Sequence, residues 1–139
     1  MSTQQQWQIT GTIRPYVGAP IPLGVFETKS GGDPSWPVEK HREGGMGKEV
    51  AFTGLPTFSD LTIGRRFDRV RDAELYRRIV GLRGADASIS AQPLDPNGAP
   101  QGRPYTFTGK LMGATDPEVD TASTSVSMYQ LMFSITDRA

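Results

Sequence analysis

Between Trp7 and Arg14 the chain reads WQITGTIR, with Trp7, Ile9, Gly11 and Ile13 on one side of an extended backbone and Gln8, Thr10, Thr12 and Arg14 on the other. A period of two marks a strand that buries one face and wets the other. The pattern recurs. Tyr105, Phe107, Gly109 and Leu111 alternate with Thr106, Thr108 and Lys110, and Leu61, Ile63, Arg65 and Phe67 alternate within 58–67. Residues 20–28 run through Ile21, Leu23 and Val25, with Pro20 and Pro22 confined to the start, where a missing amide is tolerated. Strands are also expected over 87–94 and 123–136. The 16 glycines and 11 prolines fall between these stretches and not in one linker, so they read as turns joining strands. A chain patterned this way has to stack or curl a sheet around its apolar side chains.

Only one stretch departs from that pattern. Leu75, Tyr76, Ile79 and Val80 lie at helical spacing, with Glu74, Arg77 and Arg78 on the opposite face. Asp68 or Asp72 is placed to cap the start, and Gly84 to stop the end. The expected fold is therefore mainly β, an antiparallel β-sandwich or barrel with one flanking α-helix over about 70–83. At 139 residues the chain has the size of one domain, taken as 1–139. Residues 29–48, polar and rich in glycine and proline, read as a long loop, and such loops are commonly functional. In the last strand the apolar residues shift from Val126 and Met128 to Tyr129, Leu131, Phe133 and Ile135, which suggests a bulge or apolar surface on both faces.

Chemistry finds little purchase here. Lysine and arginine balance aspartate and glutamate at 15 each, so no global field draws in nucleic acid or an anionic membrane. With no cysteine, disulfides, thiolate nucleophiles and cysteine zinc sites are excluded. The N-terminus lacks signal-peptide character, and no apolar run approaches the roughly 18 residues of a membrane helix, so folding in a cytoplasm is expected. His41 could be written into a triad with Ser35, but no nucleophile elbow or oxyanion loop accompanies it. Asp116, Glu118 and Asp120 alternate somewhat like calcium ligands without the spacing of an EF-hand. The run Gly44 to Lys48 fails the phosphate-loop pattern, with Arg42 and Glu49 where glycine and a hydroxyl residue belong. Glu39 and Glu43 sit among Lys40, Arg42 and Lys48, a setting for salt bridges more than for acid–base catalysis. Trp36, between Pro34 and Pro37, reads either as a patch on the domain's own core or as an aromatic anchor for a neighbouring subunit, and its polar surroundings favour the anchor. Neither a cofactor nor a metal is expected, and no enzymatic activity.

Several of these residues occur in a fixed order that resembles the bacteriophage tail-tube protein family, related to contractile-tail and type VI secretion tube proteins. Arg42, Glu43, Gly44 and Gly45 close a charged loop, Leu55 and Pro56 make a turn, and Leu61, Thr62, Ile63 and Arg65 form a strand. Asp72, Leu75 and Tyr76 follow in the helix. Arg66 and Phe67 depart from the family, where glycine often follows the arginine.

The resemblance implies a structural subunit of a virion tail, assembled in the host cytoplasm. Hexameric rings would stack into a hollow tube that conducts DNA during ejection, without sequence-specific binding, with tape-measure and tail-terminator proteins as further partners and no membrane. Residues 29–48 would be the stacking loop, and Trp36, Glu39, Arg42, Glu43, Gly44, Gly45, Asp116 and Glu118 the candidate ring-stacking and subunit-interface residues. The lumen wall would carry small polar and acidic side chains. Two alternatives stand beside this one: a tube subunit of a contractile or secretion apparatus, and a monomeric β-sandwich binding module or small enzyme using the polar loop as its ligand site.

Overall fold

A computed structural model describes residues 6–42, 44 and 47–139. Along these residues run eleven strands and a helix: β1 (Trp7–Arg14), β2 (Ile21–Phe26), β3 (Thr28–Gly31), β4 (Pro34–Ser35), β5 (Val38–Arg42), β6 (Glu49–Thr53), β7 (Thr57–Phe58), β8 (Leu61–Arg66), α1 (Arg69–Val80), β9 (Asp86–Pro93), β10 (Tyr105–Thr115) and β11 (Met128–Arg138). Seven of the strands form one antiparallel sheet in the order β2-β1-β9-β10-β11-β8-β3. Its two edge strands, β2 and β3, are neighbours in the chain with only Glu27 between them. One residue spans only a few ångströms. The sheet therefore curls until its opposite edges meet at this corner, giving a half-barrel, and the Glu27 amide donates to the Gly64 carbonyl of β8 across the gap at 2.9 Å.

Inside the curl lie the residues of the odd-numbered pattern. Ile9, Ile13, Ile63, Ile89, Phe107 and Leu131 are among the buried side chains, and Ile79 of α1 closes the cluster from the side. The helix begins at Asp68, whose carboxylate accepts from the Val70 amide at 3.0 Å, and ends at Gly81. It stops a turn short of the expected end, because the Leu82 and Ala85 amides fold into tight turns that lead to β9. Val80, expected on the inner face, is exposed, whereas Asp72 is buried there with Ile79. The shift of phase expected in the last strand is absent. Val126 lies before β11, and Tyr129, Leu131, Phe133 and Ile135 alternate without interruption. The register instead slips nearer the end, opposite Thr108 and Gly109, and again on β10 near Met112.

The largest correction concerns residues 29–48. Far from a loop without regular structure, they hold β3 of the main sheet, β4 paired with β7, and β5 paired with β6. Polar and glycine-rich composition concealed these strands because most of their side chains never enter the core.

At the meeting of the edges sits Arg65, 1% exposed. Its Nη1 donates to the Leu23 carbonyl and, at 3.4 Å, to that of Val25, both on edge strand β2. Its Nε donates to the Tyr129 hydroxyl of β11 at 2.6 Å, and its Nη2 to Asp72 Oδ1 of α1 at 2.7 Å. The guanidinium plane lies 4.4 Å from the centroid of the Phe26 ring. Asp72 also accepts from the Tyr129 hydroxyl at 2.8 Å, from the Asp68 amide at 2.9 Å and from Arg71. Gly24 makes room for this cation: with φ of +83° at a register slip in β2, it brings a backbone without Cβ up to Arg65. One side chain on β8 thus ties edge strand β2, the last strand β11 and the helix together. Among the described residues no buried side-chain nitrogen or oxygen lacks a partner.

Removing one member of such a buried pair strands the other, at a cost of about 3–5 kcal/mol. Arg65→Met should lower the unfolding free energy in urea by about that amount. The network also sets the pH dependence. Burial pushes the Asp72 carboxyl up, but the hydrogen bonds from Arg71, the Asp68 amide and Tyr129, with the Arg65 charge, outweigh it and hold the group below its ordinary value. Its stabilisation is complete above the unfolded carboxylate value of about 3.9 and is lost as the pH falls through the lower folded one. Tyr129 is pushed up to about 12, by burial first and then by its bond to Asp72. Stability should therefore also decline from about pH 10 as the pH approaches 12, and Tyr129→Phe should flatten that alkaline limb of a melting-temperature series.

Candidate assembly surfaces

Strands β5 and β6 form a hairpin in which all ten residues are exposed. The register places Glu39 opposite Phe52, His41 opposite Val50 and Arg42 opposite Glu49. Pleating puts Glu39, Phe52, His41 and Val50 on one face, and Val38, Lys40 and Arg42 with Thr53, Ala51 and Glu49 on the other. At the turn, Gly44 has φ of +68°, and nothing lies within 4 Å of the position a Cβ would take, so the glycine serves the backbone conformation and not a close approach within the chain. At the base, the Gly54 amide donates to the Pro37 carbonyl at 2.8 Å, and Trp36 stands 53% exposed beside it. A two-stranded hairpin with both faces wet is marginal in water. This arm carries Val38, Val50 and Phe52 in the open.

Of the residues singled out from sequence, the structure brings Trp36, Glu39, Arg42 and Gly44 together on or beside the arm. Glu43 and Gly45 lie outside the described residues. Arg42 meets Glu49, not a neighbouring acid on its own strand, at 3.5 Å. Asp116 and Glu118 are elsewhere, in the loop after β10. Asp116 accepts from the Tyr76 hydroxyl of α1, and the Glu118 carbonyl accepts from Ser127 Oγ at 2.7 Å. Asp116 therefore ties that loop to α1, while the Glu118 backbone bonds across the loop and its side chain stays exposed; the Tyr76 hydroxyl is raised to about 12 by burial and by Asp116. Among the described residues no cluster of acids or histidine could hold a metal. Ser35 Oγ bonds Thr57 Oγ1 at 3.0 Å, and His41 projects beside Val50, so neither is arranged to activate the other.

Two further surfaces were not singled out from the sequence. The solvent face of the sheet carries cross-strand rows of hydroxyls, Thr10–Ser90–Thr106 and Thr12–Ser88–Thr108. Next to them Arg14, Asp86 and Lys110 form a charged row, with Lys110 and Asp86 paired at 3.3 Å. The alternation is visible along each strand, but the rows exist only through register. At one end of the buried face opens a cleft of about 1120 Å³ between Trp7, Tyr105, Phe107, Lys29 and Arg138, with the Arg66–Glu27 pair at its margin. Trp7 and Tyr105 lie 6.0 Å apart, and Lys29 and Arg138 each stand over the Phe107 ring, at 4.6 and 4.9 Å. Burial and the neighbouring Arg138 push the Lys29 ammonium below its ordinary value, against a smaller opposing effect of Asp33.

Comparison with solved structures defines the class of fold. A chain of the anti-feeding prophage (AFP) baseplate is similar at a TM-score of 0.71 and 17% identity, over 100% of this chain and 94% of that one. A chain of the PVC sheath-tube complex, an extracellular contractile injection system in its extended state, is similar at 0.61 and 17% over 95% and 86%. One of the PVC sheath/tube terminator gives 0.63 and 17% over 96% and 91%. The chain thus has a fold of the phage tail-tube type, mainly β with one helix. No protein-family profile and no curated protein matches the sequence.

Because the arm lies outside the core, Phe52→Ser should leave the melting temperature of the dispersed subunit within about 2 °C, as surface changes usually alter stability by less than ~0.5 kcal/mol.

Proposed function

We propose that the protein is a non-enzymatic structural subunit that assembles into hexameric rings, which stack into a hollow tube. The observation that carries this reading is the pairing of a tail-tube type fold with an arm whose ten strand residues are all exposed. A curled sheet with hydroxyl rows on its outer face suits the wall of a conduit, since small uncharged groups give passing cargo no stacking platform or cationic stripe to grip. Of the charges beside these rows, Lys110 is paired with Asp86. In this reading the arm, with Trp36, Glu39, Arg42 and the Gly44 turn, makes the contact between rings. Asp116 and Glu118 stand exposed on a separate loop and are further candidates for subunit contact.

Of the machines left open by the sequence, a contractile one is favoured over a non-contractile DNA-ejecting tail, because two of the similar structures belong to a contractile injection system. The tube would then also present an outer surface to a sheath, and its terminator would be a protein of similar fold.

Negative-stain electron microscopy over a concentration series tests the proposal. Rings and tubes of uniform width are expected, and particles that stay monomeric at every concentration would overturn it. Gly44→Val, which forces a β-branched residue into the left-handed region, should block stacking while leaving the circular-dichroism spectrum of the subunit unchanged.

A further inference from the structure

The cleft beside Trp7 exceeds the roughly 300–1,000 Å³ of small-molecule pockets. It is open, floored by aromatic rings and flanked by two cations, and neither Lys29 nor Arg138 is in a salt bridge among the described residues. On the arm, Glu39 is likewise without a salt bridge among the described residues, and its cross-strand neighbour is the exposed Phe52. No arm residue lines the cleft of its own chain.

We propose that the cleft is the receptor for the arm of a second copy of this chain, Phe52 packing on the ring floor at Trp7 and Tyr105 while Glu39 faces Lys29 and Arg138. This rests on the stacking reading above and adds the address at which the arm lands. The argument is one of complementarity. The cleft offers apolar surface rimmed by positive charge, and the arm face offers an aromatic side chain beside a negative one. Desolvated cations gain most from an incoming carboxylate, and Lys29 is half-buried beside Arg138. Because arm and cleft are different surfaces, the contact is head-to-tail, and repetition of it propagates from copy to copy without using itself up. A hairpin that is marginal alone gains from the receptor the second layer it lacks.

The test is charge exchange on the full chain, read by electron microscopy and sedimentation. Glu39→Lys and Lys29→Glu should each raise the concentration at which assemblies appear by at least about tenfold, since each sets like charges together, and the double variant should recover most of the loss. Glu39→Lys alters an exposed site outside the core, so its effect is not expected to come from misfolding. The absence of native cysteine permits a second readout: a chain carrying Phe52→Cys and Tyr105→Cys should form, on oxidation, a reducible ladder of covalent multimers. Normal assembly by the single charge variants, together with no ladder, would overturn the arm–cleft contact while leaving the tube reading standing. Wild-type chains that never associate would overturn both.

Discussion

The curled sheet depends on one buried cation. A seven-stranded sheet whose two edge strands are consecutive in the chain has to bring those edges together, and edge strand β2 then presents carbonyl groups to a neighbour with which it has no ladder. Arg65 satisfies them with a guanidinium that reaches in several directions at once. A lysine has no planar fork and could not serve Leu23, Tyr129 and Asp72 together. The aspartate in turn ties in the helix start through the Asp68 amide, so the strand-to-helix turn, the barrel seam and the last strand share one polar centre. Desolvating an arginine and an aspartate is expensive, and the arrangement is tolerated because, among the described residues, each buried polar side-chain atom finds a partner.

That centre divides the molecule by mechanical character. On one side are the half-barrel and helix, closely packed around Ile63, Ile79 and Leu131, none of them exposed at all. On the other is an arm whose strands hold no buried residue. A packed body with a projecting, exposed element is suited to association. The connection between them is short, through β4 paired with β7 and the bond from Gly54 to Pro37, so the arm leaves the body from a defined base.

The same division accounts for the scarcity of reactive chemistry. Among the ionisable groups with displaced titration, Asp72, Tyr129 and Tyr76 are engaged with one another or with a fastening loop, whereas Lys29 lines the large cleft. The large cleft is lined by aromatic rings and by Lys29, Arg138 and the Arg66–Glu27 pair.

Sequence alone determined the strands that alternate, the helix with Asp68 or Asp72 at its start, and the resemblance to tail-tube proteins, because burial on one face of a strand or helix leaves a periodic trace in the residues themselves. Arg65 and Asp72 are legible as members of a motif, but by sequence Asp72 reads as a cap and Arg65 as one position of an alternating strand. Their union across seven residues, and with Leu23 forty-two residues away, is a property of the closed sheet. The hydroxyl rows and the cleft are likewise products of register, which places Thr10 beside Ser90 and Ser90 beside Thr106. The arm escapes a sequence reading for the opposite reason. Its strands bury nothing within the chain, so no period of two was imposed on residues 38–53, and only backbone pairing between Val38–Arg42 and Glu49–Thr53 reveals it.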